Sequence, residues 1–296
     1  MKIIFSDSAV RTKRVYRKPS ELEIPPLNIN MEVDSSAVFN RSAGAFGGGL
    51  AEVKEMALNF ELTDFGYKGP NPGTLEARLI ELKRDSTGKP CKDTYMTFVK
   101  KRILEFTSGI WVLSRLTEKY YVADKKLYAS YWIIPNGPAG KAPKAFGVEK
   151  EIRPTSIAAL YQGPYTPTED MEMRFCGVAD DVLIVRLNSQ IVLDGSVEPG
   201  YAEGSHYQKN GIGPVLADFT RNVRYGDWIQ LEAGKTYDLK ILLAEVPGGL
   251  FGCFLFYQVK GSDAFKVFST RPLTDNEKSI LRQIHPDVAN ALEGVR

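Results

Sequence analysis

The chain has 296 residues and is 43% hydrophobic by composition, which is enough for one large core or two modest ones. Its 38 lysines and arginines nearly balance 36 aspartates and glutamates, so a general positive field for nucleic acid is excluded. Three cysteines lie far apart, which argues against a disulfide framework, and no apolar run is long enough to span a membrane. We therefore expect a globular protein whose partners are recognised locally.

Residues 1–74 show no sustained hydrophobic period. RTKRVYRKPSELEIPPLNI is basic and contains prolines, and SAGAFGGGL is rich in glycine, so we predict an extended, largely disordered linker. GAFGGG is not a nucleotide-binding loop, because no strand precedes it and no Lys-Ser or Lys-Thr follows. The basic cluster at 11–18 is either a solvated charge run or a segment that approaches anionic lipid beside an anchor upstream.

A β domain is predicted from residue 75 to residue 272. LEARLIELK alternates apolar and polar residues, and later strand-like runs are separated by turn signals such as NS, AGK and PGG. Residues 93–122 interrupt this pattern with apolar residues at helical spacing, so we predict a helical insertion. We expect its larger apolar side chains to pack against the β domain, namely Phe98, Ile103, Phe106 and Trp111.

The end of the chain, 273–296, is predicted to be a helical tail. Thr274 or Asp275 can cap the first helix, and Pro286 interrupts before a second helical run. The fold class that follows is all-β: an antiparallel β-sandwich or barrel with a helical insertion, a C-terminal helix and an extended N-terminal linker.

One strand-like stretch, FCGVADDVLIVRLNSQIVLDG, carries two adjacent carboxylates, Asp180 and Asp181. Neighbouring aspartates repel each other and are depleted from strands. The pair therefore either lies in water at a strand end or is held there for a function. Asp194, which precedes a glycine at the end of the stretch, is interpreted as a turn-forming residue.

Two longer stretches resemble the PA14 domain, a β-barrel module of bacterial toxins, yeast adhesins and glycosidase inserts. They are YQGPYTPTEDMEMRFCGVADDVLIVRLNSQIVLDG and WIQLEAGKTYDLKILLAEVPGGLFGCFLFY, and the resemblance covers about 75–270. LYASYWIIP and KAFGVEKEIRP resemble more closely the membrane-anchored envelope proteins of the Verrucomicrobia and Lentisphaerae type. That resemblance implies the bacterial cell envelope, periplasmic or surface, with membrane attachment only through an anchor absent from this chain.

The resemblance also implies a role for the aspartates. In the adhesin branch the pair is joined by a cis peptide and binds calcium, which in turn binds sugar hydroxyls. Asp180 and Asp181 match that pair, and Glu245 is the nearest position to a third ligand, an asparagine in a glycine-rich hairpin. Carboxylate oxygens suit a hard cation such as Ca²⁺. The alternative is a fold signature in which a carboxylate accepts hydrogen bonds from backbone N–H groups of a tight turn.

The functional hypothesis is a non-catalytic binding module of the envelope, with a glycan as ligand and Ca²⁺ as mediator. The alternative is a structural or protein-interaction module whose partner is an envelope protein, without glycan or metal. A hydrolase is disfavoured, because adjacent strand residues point to opposite faces whereas glycosidase carboxylates flank one bond about 5 to 10 Å apart. Four aromatics either form a sugar-stacking surface or belong to the core, which is the commoner case: Trp132, Tyr161, Tyr165 and Trp228.

Overall fold

The structure, a computed structural model, describes residues 60–294. Within this range the strands are β1 Leu62–Thr63, β2 Gly66–Tyr67, β3 Leu75–Asp85, β4 Tyr120–Ala129, β5 Ile133–Pro138, β6 Ile157–Tyr165, β7 Met171–Asp180, β8 Val182–Leu187, β9 Gln190–Asp194, β10 Ile212–Leu216, β11 Arg221–Tyr225, β12 Ile229–Leu231, β13 Tyr237–Glu245, β14 Leu250–Val259 and β15 Lys266–Val267. The helices are α1 Met96–Thr107, α2 Leu113–Thr117, α3 Lys141–Ala145, α4 Asp275–Ile284 and α5 Pro286–Glu293.

The strands form two antiparallel sheets. The first has eight strands in the spatial order β1, β2, β4, β3, β6, β13, β8 and β9. The second has seven strands, in which β10, β11, β7, β14 and β15 follow one another while β12 pairs with β7 and β5 pairs with β14. Buried side chains of both sheets belong to one shared core, among them Tyr161 of the first and Phe175 of the second. The predicted antiparallel sandwich is confirmed.

The outer faces of both sheets are also covered, so the molecule has further apolar layers. In β8, Leu183 and Val185 belong to the core between the sheets, whereas Val182 and Ile184 belong to a second core beneath the helical insertion. Because β8 is buried on both faces, its sequence VLIVRL is a nearly continuous apolar run rather than an alternating one.

The helices α1 and α2 lie within the predicted insertion at 93–122, but β4 begins at Tyr120, so the insertion ends before the predicted bound. Ile103, Phe106 and Trp111 are buried, and the indole N–H of Trp111 donates to the carbonyl of Thr107 at 2.9 Å. The prediction for Phe98 is wrong, because its side chain is 40% exposed. Phe98 precedes the buried Val99 on α1, and that helix buries only one stripe of its surface.

The C-terminal helices cover the outer face of the second sheet with Leu281, Val288 and Ala291. Thr274 caps α4 as the sequence predicts: its hydroxyl accepts from the Glu277 N–H at 3.2 Å, and the Glu277 carboxylate accepts from the Thr274 N–H at 2.7 Å. This reciprocal pair is a capping box. His285 caps α5 by accepting from the Asp287 N–H at 3.1 Å.

The predicted boundary at residue 74 requires a correction. Phe65, between β1 and β2, is 2% exposed and belongs to the core between the sheets, and its carbonyl accepts from the Tyr161 hydroxyl at 3.0 Å. Residues 60–74 are therefore part of the β domain, and the rest of the predicted linker, 1–59, lies outside the described residues. No helix among the described residues is both long and apolar enough to cross a membrane.

Candidate functional site at the β7–β8 corner

The two aspartates lie where the chain passes from one sheet to the other. Asp180 is the last residue of β7 in the second sheet, Asp181 follows, and β8 of the first sheet begins at Val182. The peptide bond between them is cis, as the resemblance implies. The Asp181 N–H donates to the Ala244 carbonyl at 3.4 Å, and the Asp181 carbonyl accepts from the Val197 N–H at 2.8 Å. The backbone of this corner is therefore held by β13 and by the loop after β9.

The carboxyl group of Asp181 has a raised pKa. Its pKa is raised from 3.8 to about 7, first by burial and then by the neighbouring Asp180, and the hydrogen bond from Val246 N–H opposes this rise. That N–H donates to Asp181 Oδ2 at 2.9 Å. Near neutral pH the corner therefore holds more negative charge than its surroundings compensate.

Asp180 is 7% exposed and has two polar neighbours. Arg221 Nη2 lies 3.4 Å from its Oδ1, and Asn136 Nδ2 lies 3.4 Å from its Oδ2. Both distances exceed the usual range of charge-assisted hydrogen bonds, so the compensation is weak. Arg221 Nη1 and Asn136 Oδ1 are buried and have no hydrogen-bond partner within residues 60–294.

A glycine allows Asn136 to approach the pair. Gly252 of β14 lies opposite Asp180 in the register, and a Cβ atom at Gly252 would stand 2.7 Å from Asn136 Cα. Any other residue would push β5 away from the corner. The carboxylate of Asp218 holds Asn136 from the other direction, since its Oδ2 accepts from the Asn136 N–H at 2.8 Å.

A cavity of about 250 Å³ opens beside the pair, and we call it the corner pocket. Its walls come from the end of β7, from the loop after β9 and from the β10–β11 hairpin: Val178, Ala179, Gly195, Ser196, Val197, Thr220, Arg221, Asn222 and Arg224. Arg221 both lines this pocket and faces Asp180, so it connects the cavity to the carboxylate pair. All four hairpin residues in the wall carry hydrogen-bonding side chains.

Glu245 does not join the aspartates in a cation site, although it ends β13 next to Val246. Its side chain is completely buried, and its carboxylate accepts from the N–H groups of Ser156 at 2.6 Å, Gly248 at 3.2 Å and Gly249 at 2.8 Å. Burial raises its pKa, and these three bonds oppose that shift. Glu245 therefore holds the β13–β14 hairpin, and the predicted site of three clustered carboxylates is corrected on this point. Across residues 60–294, no group of three or more His, Cys, Asp or Glu residues is arranged to hold a metal ion.

A smaller oxygen set at the corner does fit a hard cation. Asp180 and Asp181 supply carboxylates, and Asn136 supplies an amide whose buried oxygen lacks a partner within the described range. The two ends of an asparagine amide exchange places by a simple flip, so this oxygen can face the pair. Oxygen donors of this kind are those that Ca²⁺ prefers.

The four aromatic candidates and Asp194 lie outside this oxygen set. Trp132, Tyr161 and Tyr165 are buried in the core between the sheets, whereas Trp228 is 39% exposed. Asp194 accepts from the Ser196 N–H at 3.2 Å, which is the contact of a turn-forming aspartate.

Sequence reasoning missed Asn136 and Arg221. They are separated from Asp180 by 44 and 41 positions, and no local pattern marks either of them.

No family model matches the chain, and no curated protein matches it. Among solved structures it is similar to the PA14 domain of the antifreeze protein MpAFP, at 10% identity and a TM-score of 0.40, over 68% of this chain and 91% of that one. A PA14 sugar-binding domain from an RTX adhesin gives 15% identity and a TM-score of 0.38, over 67% and 95%. The epithelial adhesin 6 A domain from Candida glabrata, in complex with Galb1-3GlcNAc, gives 13% and 0.33, over 71% and 92%. The sandwich architecture itself rests on the strand pairing described above.

Proposed function

We propose that this protein is a non-catalytic carbohydrate-binding module whose ligand site is the corner pocket. The observation that carries the proposal is a cavity of about 250 Å³, with several hydrogen-bonding side chains in its wall, that opens beside the buried Asp180 and the partly buried Asp181. A sugar presents many hydroxyl groups that both donate and accept. The wall offers donors from Arg221 and Asn222 and a hydroxyl from Thr220, so it suits one monosaccharide unit.

Calcium is the proposed cofactor, bound by Asp180 and Asp181 with the amide oxygen of Asn136. The raised pKa of Asp181 supports this, since burial and the neighbouring Asp180 both disfavour its ionised form and a bound divalent cation would offset both effects. Arg221 is the competing countercharge, because its guanidinium already faces Asp180. Removing the Arg221 charge should therefore strengthen calcium binding.

The proposal includes no catalytic step. A retaining or inverting glycosidase needs two carboxyl groups on opposite sides of one bond, about 5 to 10 Å apart. Here the two acids are consecutive residues of one corner between two strands. The proposed location is the bacterial cell envelope, and the glycan is the proposed partner.

A protein-interaction module is the second candidate, with an envelope protein as partner. One observation favours it: Tyr95 and Met96, at the start of the helical insertion, are 78% and 51% exposed, and Phe98 lies beside them. Exposed apolar side chains grouped in this way are typical of interaction surfaces. This surface does not involve the corner pocket.

A glycan array run with calcium and again with a chelator tests the leading proposal. The wild type should retain specific glycans only with calcium, and Asp181→Asn should lose them. Asp124→Asn is the matched control, because Asp124 is an exposed acid on β4. Arg221→Gln should weaken glycan binding while raising calcium affinity in calorimetry. An array without any specific glycan under either condition would refute the carbohydrate proposal and leave the interaction module.

A further inference from the structure

We propose a second saccharide site, selective for sugars that carry a carboxylate, in a cleft at the other end of β8. The cleft has a volume of about 910 Å³, and its lining includes Arg186, Ser189, Gln190, Glu203, Asp227 and Trp228. We call it the β8–β9 cleft. It shares no lining residue with the corner pocket. Arg186 follows Asp181 by five residues along an extended strand, a distance of about 16 Å.

Arg186 is a half-buried cation without a carboxylate partner. Within residues 60–294 its guanidinium makes no salt bridge and no hydrogen bond, and its one aromatic contact is with the Trp111 ring, whose centroid lies 5.7 Å from the guanidinium carbon. Burying part of an arginine is unfavourable unless its charge is paired. In β8 it occupies the position in register with Lys240 of β13, and that lysine is paired with Asp238 at 3.0 Å. An anionic group in the cleft would supply the missing partner for Arg186.

The acidic groups of the cleft do not fill this role. Asp227 Oδ1 accepts from Asn210 Nδ2 at 2.8 Å and lies 3.9 Å from Lys209 Nζ, and Asp227 Oδ2 is in contact with the ring of His206. Its charge is therefore compensated locally. Glu203 is exposed at the rim, where solvent screens its charge. The half-buried positive charge of Arg186 remains the uncompensated one.

The remaining wall suits a sugar ring rather than a simple anion. Trp228 is 39% exposed and offers a flat, apolar surface to the cleft. Its ring is held by Arg174, whose guanidinium carbon lies 4.7 Å from the ring centroid. Ser189 and Gln190, in the β8–β9 turn, supply hydroxyl and amide groups for sugar hydroxyls. An aromatic face, neutral polar groups and one unpaired cation together match a uronic acid.

The test uses hexagalacturonate and its methyl-esterified counterpart, which has the same sugars without the charges. Binding is measured by calorimetry in EDTA, because galacturonate chains bind calcium themselves. The wild type should bind the acid at least tenfold more tightly than the ester, which corresponds to about 1.4 kcal/mol. Arg186→Gln should lose this preference, and Trp228→Leu should weaken both ligands. Arg153→Gln is the control, because Arg153 is exposed and lies outside the cleft.

Each outcome decides the proposal. No measurable binding of hexagalacturonate, equal binding of acid and ester, or an unchanged preference in Arg186→Gln would overturn it. Tighter binding of a polyglutamate peptide than of hexagalacturonate would assign the cleft to acidic peptides and would overturn it as well. If Arg186→Gln does not fold, the acid-to-ester affinity ratio of the wild type decides the selectivity, and Trp228→Leu and Gln190→Ala, both at exposed residues, decide whether the cleft holds the sugar. Asp181→Asn should leave this binding unchanged, so failure here is distinguishable from failure of the corner pocket.

Discussion

Replacing Asp181 by asparagine should stabilise the protein at pH 8 and change it little at pH 4. The folded pKa of Asp181 is raised from 3.8 to about 7, by burial first and then by Asp180. Between these values the folded state binds more protons than the unfolded state does. The stability contribution of this group is therefore full below about pH 4 and is lost as the pH rises through about 7. Asparagine stays neutral, and its side-chain oxygen can still accept from Val246.

The expected magnitude follows from the size of the shift. A change from 3.8 to about 7 is about three units, or about 4 kcal/mol at about 1.4 kcal/mol per unit. Asp181 is only partly buried, so solvent screens part of this energy, and we expect about 2 kcal/mol. A change of this size moves the melting temperature by about 4 to 8 °C in a domain of this length.

Urea unfolding between pH 4 and pH 8 in EDTA measures this difference. The free energy of unfolding of the wild type should fall with rising pH by about 2 kcal/mol relative to Asp181→Asn. The Asp124→Asn control should follow the wild type. Parallel pH profiles of wild type and Asp181→Asn would refute the reasoning. Calcium added at pH 8 should stabilise the wild type more than the variant, and an equal effect on both would remove calcium from the corner.

Three further predictions concern stability. Glu245→Ala leaves three backbone N–H groups of the β13–β14 hairpin without their acceptor, so it should lower the free energy of unfolding by about 2 to 4 kcal/mol in urea while calcium affinity stays unchanged. Glu277→Ala leaves the Arg271 charge unpaired and should cost about 3 kcal/mol. Burial acts to raise the pKa of Glu277, but the Arg271 charge and the hydrogen bonds from Arg271, Thr274 and Tyr67 together hold it below its usual value, so this contribution should be present above pH 4.5 and be lost in acid. Phe65→Ala should cost about 3 to 5 kcal/mol by calorimetric unfolding, and a wild-type-like melting temperature would place 60–74 outside the core.

The sequence predicts those elements whose determinants are local. Thr274 and Glu277 stand three residues apart before an apolar run, and this spacing alone indicates the capping box that begins α4. The sequence does not predict β1 and β2, because each strand has two residues, which are too few to show a hydrophobic period. Phe65, which lies between them, is buried in the core. The sequence does not show that Phe98 is exposed, because the apolar residues of α1 are compatible with more than one buried stripe.

The sequence likewise indicates only those residues of the candidate site that a local pattern marks. Two consecutive aspartates at the end of an alternating run can be recognised from the sequence, and the structure places them at a strand end. Their neighbours Asn136 and Arg221 come from β5 and β11, and the contacts that bring them to Asp180 depend on the pairing of whole strands. The position of Glu245 beside a glycine-rich hairpin does not show which groups its carboxylate faces. Its oxygens face backbone N–H groups of the hairpin and of Ser156.

The burial of β8 explains why charged groups gather at its two ends. The four residues from Val182 to Val185 are apolar and buried, alternately on one face of the strand and on the other. The strand interior therefore cannot accept an ionised side chain without a partner. Asp181 immediately precedes this run and Arg186 immediately follows it. The fold thus places one undercompensated anion and one unpaired cation at opposite ends of a single buried strand, each beside a cavity. Because the apolar run separates them, a cation at one end and an anionic sugar at the other can bind without competing.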